Sequence, residues 1–235
     1  MGTYLDLHVI PRTEDAAACE RMASLFAAAH YATVGLTVAT GLRSEQVRSV
    51  RRVFEDHGVS TVLRVDLKPS SRTELLRLLR RFRNQYDIVA VRCLNQQVAM
   101  VSCRDRRVDL VFFDSANSNF RFNHTLARLL HGALEFNLVS DLTQGDDWVF
   151  ARIRKAIMIA REHQVNVVLS SGAKSYEMVR SPFQISALAI TLGLSQETSI
   201  RGVSSTPSLI VTGNRKKRAP EYVEEGVQIV LPSRR

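Results

Sequence analysis

The chain has 235 residues, 45% of them hydrophobic, which is enough to bury one sizeable core in a single α/β domain. Its 32 Lys and Arg exceed its 23 Asp and Glu and give a net charge of +9, which favours polyanionic partners. Aromatic residues make up only 7% of the chain, which argues against a base-stacking platform for single strands, and the 3 cysteines lack the paired spacing of a disulfide framework or a thiolate zinc site.

Strand-like and helix-like patterns alternate along the chain. Apolar or β-branched runs predict seven strands, at Tyr4–Ile10, Tyr31–Val38, Val59–Leu67, Tyr86–Arg92, Arg107–Phe113, Ala133–Leu138 and Val165–Leu169. Most of these runs are apolar on both faces, which is typical of a parallel sheet covered by helices. Their spacing favours an incomplete or distorted (β/α) barrel over an open doubly wound sheet, and no Gly-x-Gly-x-x-Gly turn follows the first run.

Helical periodicity lies between the strands, with apolar faces backed by arginines. The segments Ser195–Val203 and Pro207–Val211 are predicted to be helical, although they stand where an eighth strand would be expected, so the barrel should close imperfectly there. Lys216-Lys217-Arg218 breaks this pattern. The sequence therefore predicts one barrel domain over residues 1–213 and a basic C-terminal tail over residues 214–235.

The first strand resembles the opening of the polymerase-and-histidinol-phosphatase metal barrels. Those barrels begin Asp-x-His-x-His, and here Asp6 and His8 are followed by Ile10 in place of the second histidine. Because too few nitrogen ligands remain, we predict no metal site and no catalytic residue, with Asp6 and His8 as hydrogen-bonded groups at the barrel mouth. The main alternative is a metal-dependent phosphoesterase that uses Asp6, His8, Asp66 and Glu135.

A small, basic, hydroxyl-rich loop, Ser170–Ser175, follows the last predicted strand. It lacks a Gly-x-Ser-x-Gly elbow, so a tight turn is favoured over a nucleophile. Lys174 is predicted to contact phosphate, and Gly172 would let the backbone approach that phosphate closely. Ser181 and Pro182 then suit the cap and first position of a helix that begins just after Arg180.

The order of these segments closely resembles the archaeal protein component 3 family of ribonuclease P, which is related to the thirty-kilodalton subunit of the eukaryotic enzyme. In that family the last strand also runs into a Ser-Ser-Gly/Ala loop, and a helix beginning Arg-x-Pro follows. A second match is Asn123–Arg128, which reads NHTLAR where the family has a helix starting near Asp-His-x-Leu-Ala-Lys/Arg, and Asn123 replaces the Asp at a position suited to the helix cap. The similarity runs from Leu5 to about Val211.

The resemblance implies a protein subunit of ribonuclease P, which removes 5′ leaders from precursor tRNA. It places RNA contacts at His124 and Arg180 and, more loosely, at Arg121, Arg128 and Lys174. The Mg²⁺ ions of the reaction belong to the RNA subunit, so no cofactor is expected on the protein itself. The expected partners are ribonuclease P RNA, protein component 2 in a two-by-two heterotetramer, other ribonuclease P proteins and, indirectly, precursor tRNA.

Two further expectations come from composition. Unpaired cysteines suit a reducing cytoplasm. No signal peptide is predicted, because the N-terminus lacks a basic region followed by an apolar one, and no membrane span is predicted, because the most apolar run is interrupted by His30-Tyr31. Arginine-rich helix faces are usually solvated surface, so a scaffold protein without RNA affinity is a third interpretation of the sequence.

Overall fold

The computed structural model describes residues 3–38, 44–113, 120–143 and 147–218, together with the backbone of residues 222–224 and 227–228. Most of the predicted C-terminal tail therefore lies outside the described residues. Within the described part of the chain, no helix has the length and apolarity needed to cross a bilayer.

Seven parallel strands form one sheet in which each strand pairs with the next along the chain. The strands are Tyr4–Val9 (β1), Tyr31–Thr37 (β2), Ser60–Leu67 (β3), Ile88–Arg92 (β4), Leu110–Phe112 (β5), Ala133–Asn137 (β6) and Val167–Ser170 (β7). This order confirms the predicted barrel with about seven parallel strands.

Ten helices of the described chain surround or close this sheet. They are Ala16–Ala28 (α1), Ser44–Asp56 (α2), Arg72–Phe82 (α3), Gln96–Arg104 (α4), His124–Leu129 (α5), Leu138–Thr143 (α6), Asp147–Glu162 (α7), Pro182–Thr191 (α8), Gln196–Gly202 (α9) and Ser205–Lys217 (α10). A 3₁₀ turn at Tyr176–Met178 precedes α8, and Tyr222–Glu224 (β8) and Val227–Gln228 (β9) form an antiparallel pair.

Helix starts are set locally by short polar side chains. The Asn123 side chain accepts a hydrogen bond from the N–H of Leu126, and Ser181 accepts one from the N–H of Gln184. The side-chain oxygen of Gln184 in turn accepts the N–H of Ser181, which completes a capping box around Pro182. Both predicted caps are therefore confirmed.

The barrel closes directly at only one end. Val9, the last residue of β1, forms a parallel bridge with Ala173 beyond the end of β7, and the N–H of Ile10 donates to the carbonyl of Ala173 at 2.8 Å. At the opposite end, Leu5 donates to the carbonyl of Val203 just after α9. Helices α9 and α10 thus take the place of an eighth strand, as the sequence pattern indicated.

The predicted domain boundary at residue 213 falls inside α10. The helix continues to Lys217, and the side chain of Asn214, a buried residue, donates to the carbonyl of Asp87 at 2.9 Å. Arg218 donates to the carboxylate of Asp87 and to the carbonyl of Asn84, at 2.5 and 2.6 Å. These bonds attach the start of the basic segment to the loop before β4, a long-range contact that the local charge pattern does not reveal.

Inside the barrel, an apolar layer is followed by a polar one. One buried cluster draws its side chains from six of the seven strands and includes Leu7, Val62, Ile88, Leu110, Ala133 and Val168. Because side chains alternate between the two faces of a strand, residues two positions further along point to the same side. Val62, Ala133 and Val168 are followed in this way by Arg64, Glu135 and Ser170, which begin the polar layer at the barrel mouth.

The barrel mouth and the candidate RNA-binding residues

A buried arginine organises the barrel mouth. Arg64 is 0% exposed, and its two terminal nitrogens donate to the two carboxylate oxygens of Glu135 at 2.5 and 2.6 Å. Its Nε donates to Asp66 at 2.7 Å, and Nη1 also reaches the carbonyl of Leu7 at 2.9 Å. The guanidinium therefore bridges β3 to β6 across the barrel with two carboxylates as partners.

His8 lies on the other side of these carboxylates. Its Nδ1 is 2.6 Å from Oδ1 of Asn137, and its Nε2 is 3.1 Å from Oδ2 of Asp66. The ring of Phe112 packs against His8 with 5.8 Å between the ring centroids. Both imidazole nitrogens thus have polar neighbours, but only the Nδ1 contact has hydrogen-bond geometry, because the approach of Nε2 to Asp66 does not meet it.

The ionisation of the mouth follows from these contacts. Burial opposes the charged form of Asp66, but the charge of Arg64, the neighbouring His8 and the side-chain contacts with both residues together outweigh it and hold the pKa of Asp66 well below its usual range. For Arg64, burial disfavours the cation, and the charges of Asp66 and Glu135 more than reverse this and raise its pKa. The mouth therefore holds a charged ion network.

Asp6 behaves differently, because no Lys or Arg among the described residues forms an ion pair with it. Its carboxylate accepts hydrogen bonds from the backbone N–H of Ser171, at 3.1 Å, and of His8, at 3.0 Å. Burial raises the pKa of Asp6 to about 6, and these hydrogen bonds only partly oppose the shift. The contact with Ser171 ties β1 to the loop after β7, beside the point where the barrel closes.

The geometry does not suit the phosphoesterase alternative. The Asp66 and Glu135 carboxylates both bind the Arg64 guanidinium. A cation therefore already occupies the position that a metal ion shared by these two carboxylates would take. His8 is bound between Asn137 and Asp66, and Asp6 accepts backbone N–H groups. Binding a metal here would require the expulsion of a buried, fully paired arginine. Arg64 was not predicted as a residue of the barrel mouth, although its position two residues before Asp66 indicated that the two side chains share a face of β3.

The loop after β7 uses its small residues for structure. Ser170, which is fully buried, donates to Glu135 at 2.7 Å, and the hydroxyl of Ser171 accepts the N–H of Ala173 at 3.0 Å. Gly172 has φ +65°, and a Cβ there would lie 2.8 Å from Cβ of Ser140. Close packing therefore explains this glycine, and the predicted approach of its backbone to phosphate is corrected.

The five predicted RNA contacts do not converge on one site. Arg121 and His124, both exposed, line a cavity of about 450 Å³ that Arg152 and Lys155 of α7 also line. The apolar part of its wall includes Phe113, Phe120, Phe122, Leu134, Phe136 and Ile153.

The other three predicted contacts lie elsewhere. Lys174 is exposed and lines a separate cavity with Arg12 and Tyr176, beside the closing bridge of the barrel. Arg128 is exposed in the last turn of α5. Arg180, which is partly buried, lies between the 3₁₀ turn and α8.

Arg180 has local partners that the sequence did not indicate. Its Nη1 donates to the carbonyls of Glu177 and Val179 at 2.7 and 2.8 Å, and its own carbonyl accepts the hydroxyl of Tyr31 at 3.0 Å. The following N–H groups of Ser181 and Gln184 are taken by the capping box. Arg180 therefore also fixes the turn before α8, and its contact with RNA stays a prediction.

Comparisons with known proteins agree with this architecture. The sequence profile described as RNase P subunit p30 matches residues 3–219. The chain is 26% identical to ribonuclease P protein component 3 of Methanococcoides burtonii over 239 residues, which cover 97% of this chain and 94% of that protein. It is also 28% identical to Protein GAMETOPHYTE DEFECTIVE 1 of Arabidopsis thaliana over 156 residues, or 63% of this chain and 26% of that protein.

The fold has a solved counterpart. A chain in the cryo-EM structure of archaeal ribonuclease P with mature tRNA superposes with a TM-score of 0.82 at 20% identity, covering 98% of this chain and 100% of that chain. The profile match includes the whole barrel and the start of the basic segment after α10. The chain belongs to the RNase P subunit p30 family.

Proposed function

We propose that this protein is a subunit of ribonuclease P that binds and stabilises the catalytic RNA during removal of 5′ leaders from precursor tRNA. The family match over residues 3–219 is the observation that carries this function. The net charge of +9 supports it, because cationic side chains release counterions when they neutralise phosphates. A scaffold protein without RNA affinity would leave this excess of positive charge without a role.

In this proposal the protein performs no hydrolysis. Mg²⁺ held by the RNA subunit supplies the chemistry, and the protein holds the RNA in its active shape, contacting precursor tRNA only indirectly. The ion network at the barrel mouth supports this division, because Arg64 engages the carboxylates that a catalytic metal would need. The 3 cysteines are free and buried, which suits a cytoplasmic location.

The RNA-binding surface is proposed to comprise Arg121, His124, Arg128, Lys174 and Arg180. The best-supported part is the rim of the 450 Å³ cavity, where Arg121 and His124 are joined by Lys155 and Arg152. Several cations around one concave surface favour a phosphate backbone more strongly than isolated surface arginines do. Arginine also offers a planar fork that matches two phosphate oxygens.

Replacing Arg121 or Lys174 by glutamine should weaken RNA binding in reconstituted ribonuclease P by about 1–3 kcal/mol per site, the usual scale for a lost charge-assisted hydrogen bond. Each variant should also lower the slope of log affinity against log salt by about 1, because one fewer phosphate is neutralised. Filter binding at several salt concentrations, together with cleavage of precursor tRNA, measures both effects.

Arg201→Gln is the matched control, because Arg201 is 55% exposed on α9 and forms a surface ion pair with the nearby Glu197 at 3.4 Å. Its affinity and salt slope should equal those of the unsubstituted protein. If Arg121→Gln and Lys174→Gln match Arg201→Gln in both quantities, neither residue contacts RNA.

The partner protein is proposed to be ribonuclease P protein component 2, in a two-by-two heterotetramer. A protein-binding surface should present apolar side chains within a polar surround. Helix α8 carries two such side chains, Phe183 at 59% and Ile190 at 42% exposure, and their seven-residue spacing places them on one face.

Ile190→Asp is expected to weaken this heterotetramer by at least about tenfold in dissociation constant, because a charge would be desolvated at the interface. Size-exclusion chromatography with light scattering of the mixed proteins gives the assembly state. Leu209→Asp, at a 72% exposed position on α10, is the control and should assemble normally. Separate peaks for the unsubstituted proteins at micromolar concentration would contradict the pairing, and normal assembly of Ile190→Asp would exclude this face.

A further inference from the structure

Two histidines and a glutamate from different elements meet on the outside of the barrel. His124 is the first residue of α5, Glu162 is the last residue of α7, and His163 follows it. Within the described parts of the chain, this is the one group of three His, Cys, Asp or Glu side chains whose donor atoms all lie within 4.8 Å of one another. None of the three belongs to the barrel mouth or to its ion network.

The distances between the donor atoms suit a shared metal ion. Nδ1 of His124 lies 3.1 Å from Nε2 of His163, and Oε1 of Glu162 lies 3.7 and 3.9 Å from those two nitrogens. Tetrahedral ligands about 2.0–2.1 Å from a zinc ion are about 3.3 Å apart from one another. The glutamate needs to move by only about half an ångström to reach this arrangement, and its 64% exposed side chain is free of tight packing.

The burial of the three side chains suits a partly preformed site. His163 is only 15% exposed and the N–H of its backbone donates to the carbonyl of Ile159, so the end of α7 holds it in place. His124 is held by α5, whose start is fixed by the Asn123 cap. A histidine fixed on each of two elements reduces the entropy that a metal ion would have to overcome to order the site.

We propose that His124, Glu162 and His163 form a binding site for a divalent transition metal such as Zn²⁺, with the fourth coordination position open to water or an anion. Two imidazole nitrogens and one carboxylate oxygen are ligands of zinc, cobalt, nickel and copper. Mg²⁺ and Ca²⁺ require oxygen ligands, so this set selects against them. Arg121 and Lys155 line the cavity that His124 borders, and their charge favours an anionic fourth ligand.

The experiment is a Co²⁺ titration of the full chain, free of RNA and prepared without a polyhistidine tag, followed by visible absorption. One equivalent of Co²⁺ should give the intense bands of a four-coordinate site, Zn²⁺ should displace it, and millimolar Mg²⁺ should not. His163→Gln, His124→Gln and Glu162→Gln should each weaken binding by at least about tenfold, since even residues that only support a ligand change affinity by that much.

His57→Gln is the matched control. Nε2 of His57 lies 3.5 Å from Oε2 of Glu20, so the pair resembles part of the site, but the metal-binding group described above does not include it. Its Co²⁺ affinity should equal that of the unsubstituted chain. Circular dichroism melts verify folding, and the exposed His124 and Glu162 variants test the site even if His163→Gln unfolds.

Two results would overturn the proposal. Absence of saturable Co²⁺ binding would mean that the 3.1 Å contact is only a direct hydrogen bond between the two imidazole rings. Stoichiometric binding that survives all three substitutions would place the metal elsewhere. Because the titration contains no RNA, neither result bears on the RNA-binding role proposed for His124.

Discussion

Arg64→Met is expected to lower the free energy of unfolding by about 3–5 kcal/mol, the range for removing one partner of a buried ion pair. Methionine fills much of the same volume, but it leaves the carboxylates of Asp66 and Glu135 buried without their cation. Stability is lost because the two carboxylates remain buried without a positive charge. The intact network itself stabilises the fold little more than well-packed apolar side chains in its place would. Urea unfolding at neutral pH, followed by circular dichroism, measures the change.

Arg52→Met provides the comparison, because the Arg52 side chain is 85% exposed and lies 3.8 Å from Asp56 on the surface of α2. Its effect should stay within about 1 kcal/mol, as for other surface ion pairs. Combining Arg64→Met with Asp66→Asn and Glu135→Gln should recover part of the lost stability, since the stranded charges are then removed. Equal stabilities of Arg64→Met and Arg52→Met would show that the buried network is not essential to the barrel.

The Asp6→Asn variant is expected to become more stable to unfolding, relative to the unsubstituted protein, as the pH rises. The pKa of Asp6 is about 6 in the folded protein and 3.8 for an ordinary aspartate, as in the unfolded chain. The folded protein therefore holds this proton more tightly than the unfolded chain does. Stability from the neutral carboxyl is fully present below the unfolded pKa and is lost as pH rises through the folded pKa. The difference corresponds to about 3 kcal/mol of stability lost between about pH 4 and pH 7.

Asparagine keeps an oxygen that can accept the N–H groups of Ser171 and His8 but cannot ionise. Unfolding free energies of the two proteins, measured at intervals over this pH range, should therefore diverge in favour of Asp6→Asn. Asp56→Asn, at a side chain 68% exposed on α2, should follow the unsubstituted protein within about 1 kcal/mol throughout. A pH-independent difference for Asp6→Asn would mean that Asp6 ionises normally despite its burial.

The features that depend on a few neighbouring residues could be predicted from the sequence alone. The seven parallel strands were indicated by β-branched runs apolar at nearly every position, because both faces of such strands are buried whatever their partners. The starts of α5 and α8 were indicated by Asn123 and Ser181, because a capping side chain bonds an N–H only three residues away. The resemblance on Asn123–Arg128 and on the loop after β7 led to the family that the profile match confirms.

Contacts between residues distant in the chain were decided by the tertiary structure. Arg64 and Glu135 lie on β3 and β6, which are not neighbours in the sheet, so their side chains meet only because the sheet curls into a barrel. Asn214 and Arg218 extend α10 past the predicted boundary because the loop at Asp87 supplies their partners. His124 and His163 approach to 3.1 Å although 39 residues separate them. Periodicity reports which face of an element is buried, but the partner across the core is set by sheet closure and helix docking, which no local pattern encodes.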